Sequence, residues 1–69
     1  MISKNQIKWV HSLELKKNRR REGLFVAEGP KVVGDLQAAG FRPVAIYDEM
    51  EDVRRISQLQ HPQGGVGVF

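Results

Sequence analysis

At 69 residues the chain has room for one domain with a small core, since a domain of this size buries only about 60% of the surface its unfolded chain exposes. It has no cysteine, which excludes a disulfide framework and a thiolate metal site and suits a reducing compartment; no apolar run approaches the roughly 20 residues that cross a bilayer, and no secretory h-region opens it. The net charge of +3 is unevenly placed: residues 1–21 hold seven basic residues against one acidic, and residues 22–69 hold four basic against seven acidic. A basic excess confined to the first third points to an anionic partner, most often nucleic acid. The expectation is one soluble, cytoplasmic domain over residues 1–69.

Ser3 followed by Gln6 matches a capping box. Ile7, Val10 and Leu13 then recur at a spacing of three, with Trp9 one turn before Leu13. This predicts an amphipathic helix over residues 4–17. Lys4, Lys8 and His11 project from a different face. Asn18 is the expected left-handed cap, and Lys16 and Lys17 suit the negative end of the helix dipole. Residues 18–23, Asn-Arg-Arg-Arg-Glu-Gly, read as a short basic connection.

Residues 24–27, Leu-Phe-Val-Ala, are a continuous apolar run that predicts a strand buried on both faces. Gly29 and Pro30 read as N-cap and first position of a second helix, because proline has no N–H to lose there. Val32, Val33 and Leu36 form its apolar stripe, which ends at Ala39 with Gly40 as cap. Gly34 inside it costs about 1 kcal/mol against alanine and suggests close approach to a sheet. Pro43 can open a strand but not sit inside one, so residues 44–48 form the second strand. Asp48 and Glu51 resemble another helix start, and Met50, Val53 and Ile56 extend that helix to about Leu59. His61-Pro62-Gln63-Gly64-Gly65 is a turn, and residues 66–69 are a third strand with no stop signal after it. Alternation of helices and strands predicts a parallel sheet with crossover connections.

The densest chemical signal is basic. Lys16, Lys17, Arg19, Arg20 and Arg21 fall within six residues. Each cation that neutralises a phosphate releases a counterion, and arginine can grip phosphate with two parallel hydrogen bonds. The competing reading is a solvated segment that aids solubility. Trp9 reads as a core or boundary residue before a base-stacking one, and Tyr47 fits either role. His11 and His61 lie 50 positions apart with no acid at ligand spacing, so no metal is expected. No nucleophile–base pair or carboxylate pair can be assembled, so no catalytic residue is expected. An anion at the second helix N-terminus is opposed by Pro30, which lacks a donor, and by the charge of Glu28. Glu28 itself has three readings: a solvated turn residue, a partner of the helix dipole, or a half-buried carboxylate paired with Arg19, Arg20 or Arg21.

Ser3, Asn5, Lys8, Leu13, Lys17, Arg19, Phe25, Glu28 and Gly29, in this order and spacing, resemble the N-terminal substrate-binding domain of SpoU/TrmH-type RNA methyltransferases of the SPOUT class. Pro62 and Gly64 match the Pro-x-Gly segment that leads toward the family's catalytic domain. The resemblance implies an α/β fold: a small three-layer α/β/α sandwich with a mostly parallel sheet of three or four strands, similar to small ribosomal RNA-binding proteins. It implies that the chain grips RNA, ribosomal RNA ahead of tRNA, for 2′-O-methylation of a ribose. S-adenosylmethionine, the catalytic arginine and homodimerisation belong to a C-terminal domain that these 69 residues do not contain. The RNA-binding residues so implied are Lys4, Asn5, Lys8, Lys16, Lys17, Arg19, Arg20 and Arg21, with Phe25, Glu28 and Gly29 as a structural motif. Residues 47–62 hold one helix where the family usually has a longer stretch. Two other readings stand beside this one: a free-standing ribosomal or ribonucleoprotein component without enzymatic activity, and an interaction module using the first helix as a protein-binding arm.

Overall fold

The computed structural model describes residues 1–69. Its elements run α1 (Lys4–Ser12), α2 (Lys16–Glu22), β1 (Val26–Glu28), α3 (Pro30–Ala38), β2 (Ala45–Tyr47), α4 (Met50–Ile56) and β3 (Val66–Val68). The capping box forms as the sequence predicts. The Gln6 N–H donates to Ser3 Oγ at 3.1 Å, and the Ser3 N–H donates to Gln6 Oε1 at 3.2 Å.

The first helix does not run to residue 17. It ends at Ser12, and a tight turn of i to i−3 bonds at Leu13, Glu14 and Leu15 separates it from α2. The apolar stripe permits the break, which the Asn18 and Arg19 side chains fix by reaching back to carbonyls of residues 12–14. Leu13 is buried, but Leu15 is 55% exposed, so a continued helix would have no apolar face left to cover. The segment expected to be a basic connection is itself helix α2, closed by Gly23 in the left-handed conformation. Asn18, expected as the cap, is instead a buried residue inside α2.

The sheet has the order β1-β3-β2, and both pairings are antiparallel. The fold is α/β, but the mostly parallel sheet expected from the alternation is not what forms. β1 and β2 do run parallel to each other, linked by α3 as a βαβ unit. They stand one strand apart, and β3 fills the slot between them from the opposite direction. Val26 pairs with Val68 on one side, and Ala45 pairs with the same residue on the other. As the central strand, β3 is buried at all three positions.

Helices cover both faces of this sheet. Val66, Val68 and Tyr47 pack with Val10 and Leu13 on the α1 side and with Val53 and Ile56 of α4. On the other face Ala27 and Phe69 pack with Val33 of α3, and Leu36 borders them. Gly67 lies beneath that helix because a Cβ there would fall 2.7 Å from the Phe69 ring and 3.3 Å from Val33 Cγ2. Gly34, by contrast, has open space around it, so its presence in α3 is not explained by approach to the sheet.

Gly29 is the N-cap of α3 at φ 103°, with Pro30 following, as the sequence predicts. A side chain at that φ would be strained. The Gly29 N–H donates to the Gly65 carbonyl at 2.7 Å, which locks the β1–α3 junction to the entry of β3. α4 begins with Glu49 as N-cap and no side-chain capping bond, so Asp48 and Glu51 do not form the expected start.

Candidate nucleic-acid interface

α2 is built as a polar helix with two different sides. Lys16 and Arg20 are one turn apart, as are Lys17 and Arg21, so four cations form two adjacent columns. All four are exposed. The opposite side faces α1. Asn18 Nδ2 donates to the Ser12 carbonyl at 2.8 Å, and Arg19 Nη1 donates to the Leu13 and Glu14 carbonyls at 2.8 Å each. The Leu13 and Glu14 carbonyls, just past the end of α1, gain their partners from Arg19, and the Ser12 carbonyl, which also accepts the Leu15 N–H at 3.3 Å, gains a second bond. At the far end of the hairpin Trp9 Nε1 donates to Glu22 Oε1 at 3.2 Å. Trp9 is therefore a boundary residue that ties α1 to α2, in keeping with the first of its two readings.

The residues expected to bind RNA thus separate into groups. Lys16, Lys17, Arg20 and Arg21 share one exposed face. Lys4 and Lys8, with His11, form an exposed stripe on α1, opposite the side that buries Val10, and Asn5 is exposed beside it. Arg19 stands apart because the residue is half-buried and its Nη1 is committed to two backbone carbonyls.

Glu28 is not paired with any of the three arginines. Its carboxylate accepts the hydroxyl of Ser57 and the backbone N–H of Gln58, the latter at 2.9 Å. Ser57 follows the last turn of α4 and its hydroxyl also accepts the Leu59 N–H at 3.0 Å. The carboxylate so fastens β1 to the chain leaving α4, about thirty positions away. Local sequence offered the nearby arginines as partners. It gave no sign that this loop would arrive with a hydroxyl and a free N–H.

Arg19, Phe25 and Glu28 nevertheless meet. With Leu13, Val26 and Gln58 they line an open cavity of about 280 Å³. Phe25 is partly exposed there, its ring stacked on Phe69 at a centroid distance of 5.8 Å and edge-on to Phe41 at 6.3 Å. Gln58 is a lining residue that the sequence did not single out, and only its position after α4 brings it to this cavity. No group of three or more histidine, cysteine or acidic side chains gathers to hold a metal, and no helix is long and apolar enough to cross a membrane.

A family model for the MRM3-like substrate binding domain matches residues 4–65. Among solved structures, one from Porphyromonas gingivalis, assigned as an RNA methyltransferase of the TrmH family, superposes with a TM-score of 0.86 at 31% sequence identity. The match covers 100% of this chain and 35% of that one. No curated protein matches the chain. With its motif order, two-faced basic helix and strand–cap–helix junction, the chain belongs to the MRM3-like substrate-binding domains, the kind carried by SpoU/TrmH-type RNA methyltransferases.

Proposed function

We propose that this domain binds structured RNA through the exposed face of α2 and holds one ribose in position for 2′-O-methylation. The carrying observation is that Lys16, Lys17, Arg20 and Arg21 are all exposed on one side of a helix whose other side is fastened to the domain. A rigid array of cations tracks a phosphate backbone with less loss of freedom than a flexible tail, and two arginines can chelate phosphate oxygens. Lys4, Asn5 and Lys8 extend the contact along α1. Arg19 supports the array rather than meeting phosphate.

The methyl donor, S-adenosylmethionine, is bound elsewhere in a full-length enzyme, by a C-terminal SPOUT domain that also dimerises. The domain described here would contribute binding energy that orients the substrate at a distant reaction centre. Ribosomal RNA is the proposed substrate and the cytoplasm the proposed site of action, in line with the basic face and the family's resemblance to small ribosomal proteins.

The test is a titration of the 69-residue chain with a structured ribosomal RNA fragment at several salt concentrations. Affinity should fall linearly with salt on logarithmic axes, with a slope near −0.7 to −0.9 per neutralised phosphate. Calorimetry with S-adenosylmethionine should show no heat of binding. RNA affinity that ignores salt would remove the basic face from the account.

A further inference from the structure

The cavity between α2 and β1 has a composition that phosphate binding does not explain. It is lined by one fixed donor, one fixed acceptor, an aromatic ring and two aliphatic side chains. Arg19 Nη1 is engaged by the Leu13 and Glu14 carbonyls, which leaves its other N–H groups without a partner inside the chain. Each oxygen of Glu28 accepts one bond, from Ser57 and from Gln58, and each retains a further acceptor site. Both groups are therefore held in place before any ligand arrives. Leu13, Val26 and Phe25 supply the apolar part of the lining, and Gln58 completes it. A carboxylate at the wall disfavours a phosphate inside. At about 280 Å³ the space lies at the lower end of small-molecule sites, which run from about 300 Å³ upward.

A flat ligand with apolar faces and hydrogen-bonding edges satisfies this arrangement, and an unstacked nucleobase is such a ligand. Among the four bases of RNA only guanine carries two adjacent donors, N1–H and the 2-amino group, on the edge that would meet a carboxylate. Its O6 and N7 are the acceptors that arginine most often grips. Adenine, cytosine and uracil each place an acceptor beside their donor, and that acceptor would face the charge of Glu28. We infer that the Arg19–Phe25–Glu28 cavity is a guanine-selective pocket that takes one base extruded from an RNA loop. The phosphates flanking that base would follow the cations on the outer side of α2, so the inference rests on the RNA-binding reading given above.

The test separates the two readings. Guanosine, which has no phosphate, is titrated into the isotope-labelled chain, and the Gln58 amide and Phe25 ring resonances are followed. Saturable shifts should appear with guanosine and not with adenosine. Inosine, lacking the 2-amino group, and 1-methylguanosine, lacking N1–H, should each bind at least about tenfold more weakly. These comparisons change the ligand and leave the protein folded. In Glu28→Gln, checked for native spectra, the difference between guanosine and inosine should vanish. A hairpin RNA with one loop guanosine replaced by inosine should lose a similar factor in affinity while its salt slope stays the same. Equal shifts from all nucleosides, or none, would overturn the pocket even if RNA binds with a normal salt slope. Guanosine binding without RNA affinity would uphold the pocket and overturn the phosphate-binding role of α2.

Discussion

Helix α2 and the β1–α3 junction both place charged side chains beside helix ends, but they direct them oppositely. Among the cations of α2 only Arg19 turns inward, onto the carbonyls that follow α1, while Lys16, Lys17, Arg20 and Arg21 remain in solvent. At the junction the single carboxylate of Glu28 is drawn to Ser57 and Gln58, so its charge joins two distant segments. The difference teaches how a small domain can keep a high local charge without repelling itself apart. The cations that face water are carried by a helix fixed through neutral carbonyls, and the anion that is half-buried is held by neutral donors. Neither region depends on an ion pair. The single salt bridge, Arg55 to Glu51 at 4.0 Å, lies on the exposed surface of α4, where such pairs contribute little.

The strongest way to break the comparison is to remove the outward cations together. Replacing Lys16, Lys17, Arg20 and Arg21 by alanine should lower the logarithmic salt slope of RNA binding by about 3 to 4. Affinity at low salt should fall by at least about a hundredfold, while the thermal midpoint changes little because these side chains are exposed and take no part in the domain's one salt bridge. A large drop in the midpoint would show that α2 is held by its outer face as well. Glu28→Gln probes the other region, with the reverse pattern expected. Hydrogen bonds to a charged group contribute about 1.5–3 kcal/mol, so stability should fall by about 1–2 kcal/mol, or roughly 4–16 °C in a domain this small. The salt slope should not move. A midpoint equal to the parent's would show that the link between β1 and the α4 exit is not stabilising.

The same contrast decides what could be read from the sequence. The capping box at Ser3 and the Gly29–Pro30 start of α3 were legible because each depends on residues a few positions apart. The exposed cations were legible as a cluster. The break after Ser12 was not, because it depends on Asn18 and Arg19 reaching back six positions to carbonyls that a continuous helix would have used itself. The partner of Glu28 was hidden by a separation of about thirty residues, and the nearby arginines were a plausible distraction. The direction of β3 was hidden for a further reason. Alternating helices and strands fix neither the slot a strand takes nor its sense, and a βαβ unit that leaves one slot open admits an antiparallel strand there. The cavity needed all three of these unseen features at once.

Two smaller substitutions sharpen the comparison from within each region. Asn18 is buried, and its amide makes the shorter of the two bonds to the last carbonyl of α1. Asn18→Ala leaves the Ser12 carbonyl with only the Leu15 N–H, at 3.3 Å, and should cost about 1 kcal/mol, with RNA affinity reduced only as far as α2 loosens. Amide exchange should accelerate first in residues 12–19. If exchange there is unchanged, the Asn18 bond is not what sets the turn.

Tyr47, at the end of β2, gives the smallest and most informative effect, because its sign is unusual. Its ring is buried in the core and its hydroxyl has no hydrogen-bond partner. Burial, and then the charge of Asp52, raise its pKa above the ordinary value of 10.0. Asp52 is itself engaged by the Ile2 N–H at 3.0 Å, so it is fixed close by without relieving the hydroxyl. The folded state therefore keeps the proton longer than the unfolded chain does. The stabilisation this represents is complete below pH 10 and is lost as pH rises from 10 toward the folded-state value. Tyr47→Phe removes both the orphaned hydroxyl and the ionisable group. It should leave stability at neutral pH unchanged or raise it by up to about 1 kcal/mol, and it should flatten the decline above pH 10. Because Tyr47 is the chain's single tyrosine, phenolate absorbance reports its ionisation alone, and the parent should titrate late. A parent that titrates at the ordinary value, or a phenylalanine variant that is clearly less stable, would mean that the hydroxyl has found a partner. It would then be a second polar tie of the kind Glu28 makes, and the junction side of the molecule would rest on two such ties rather than one.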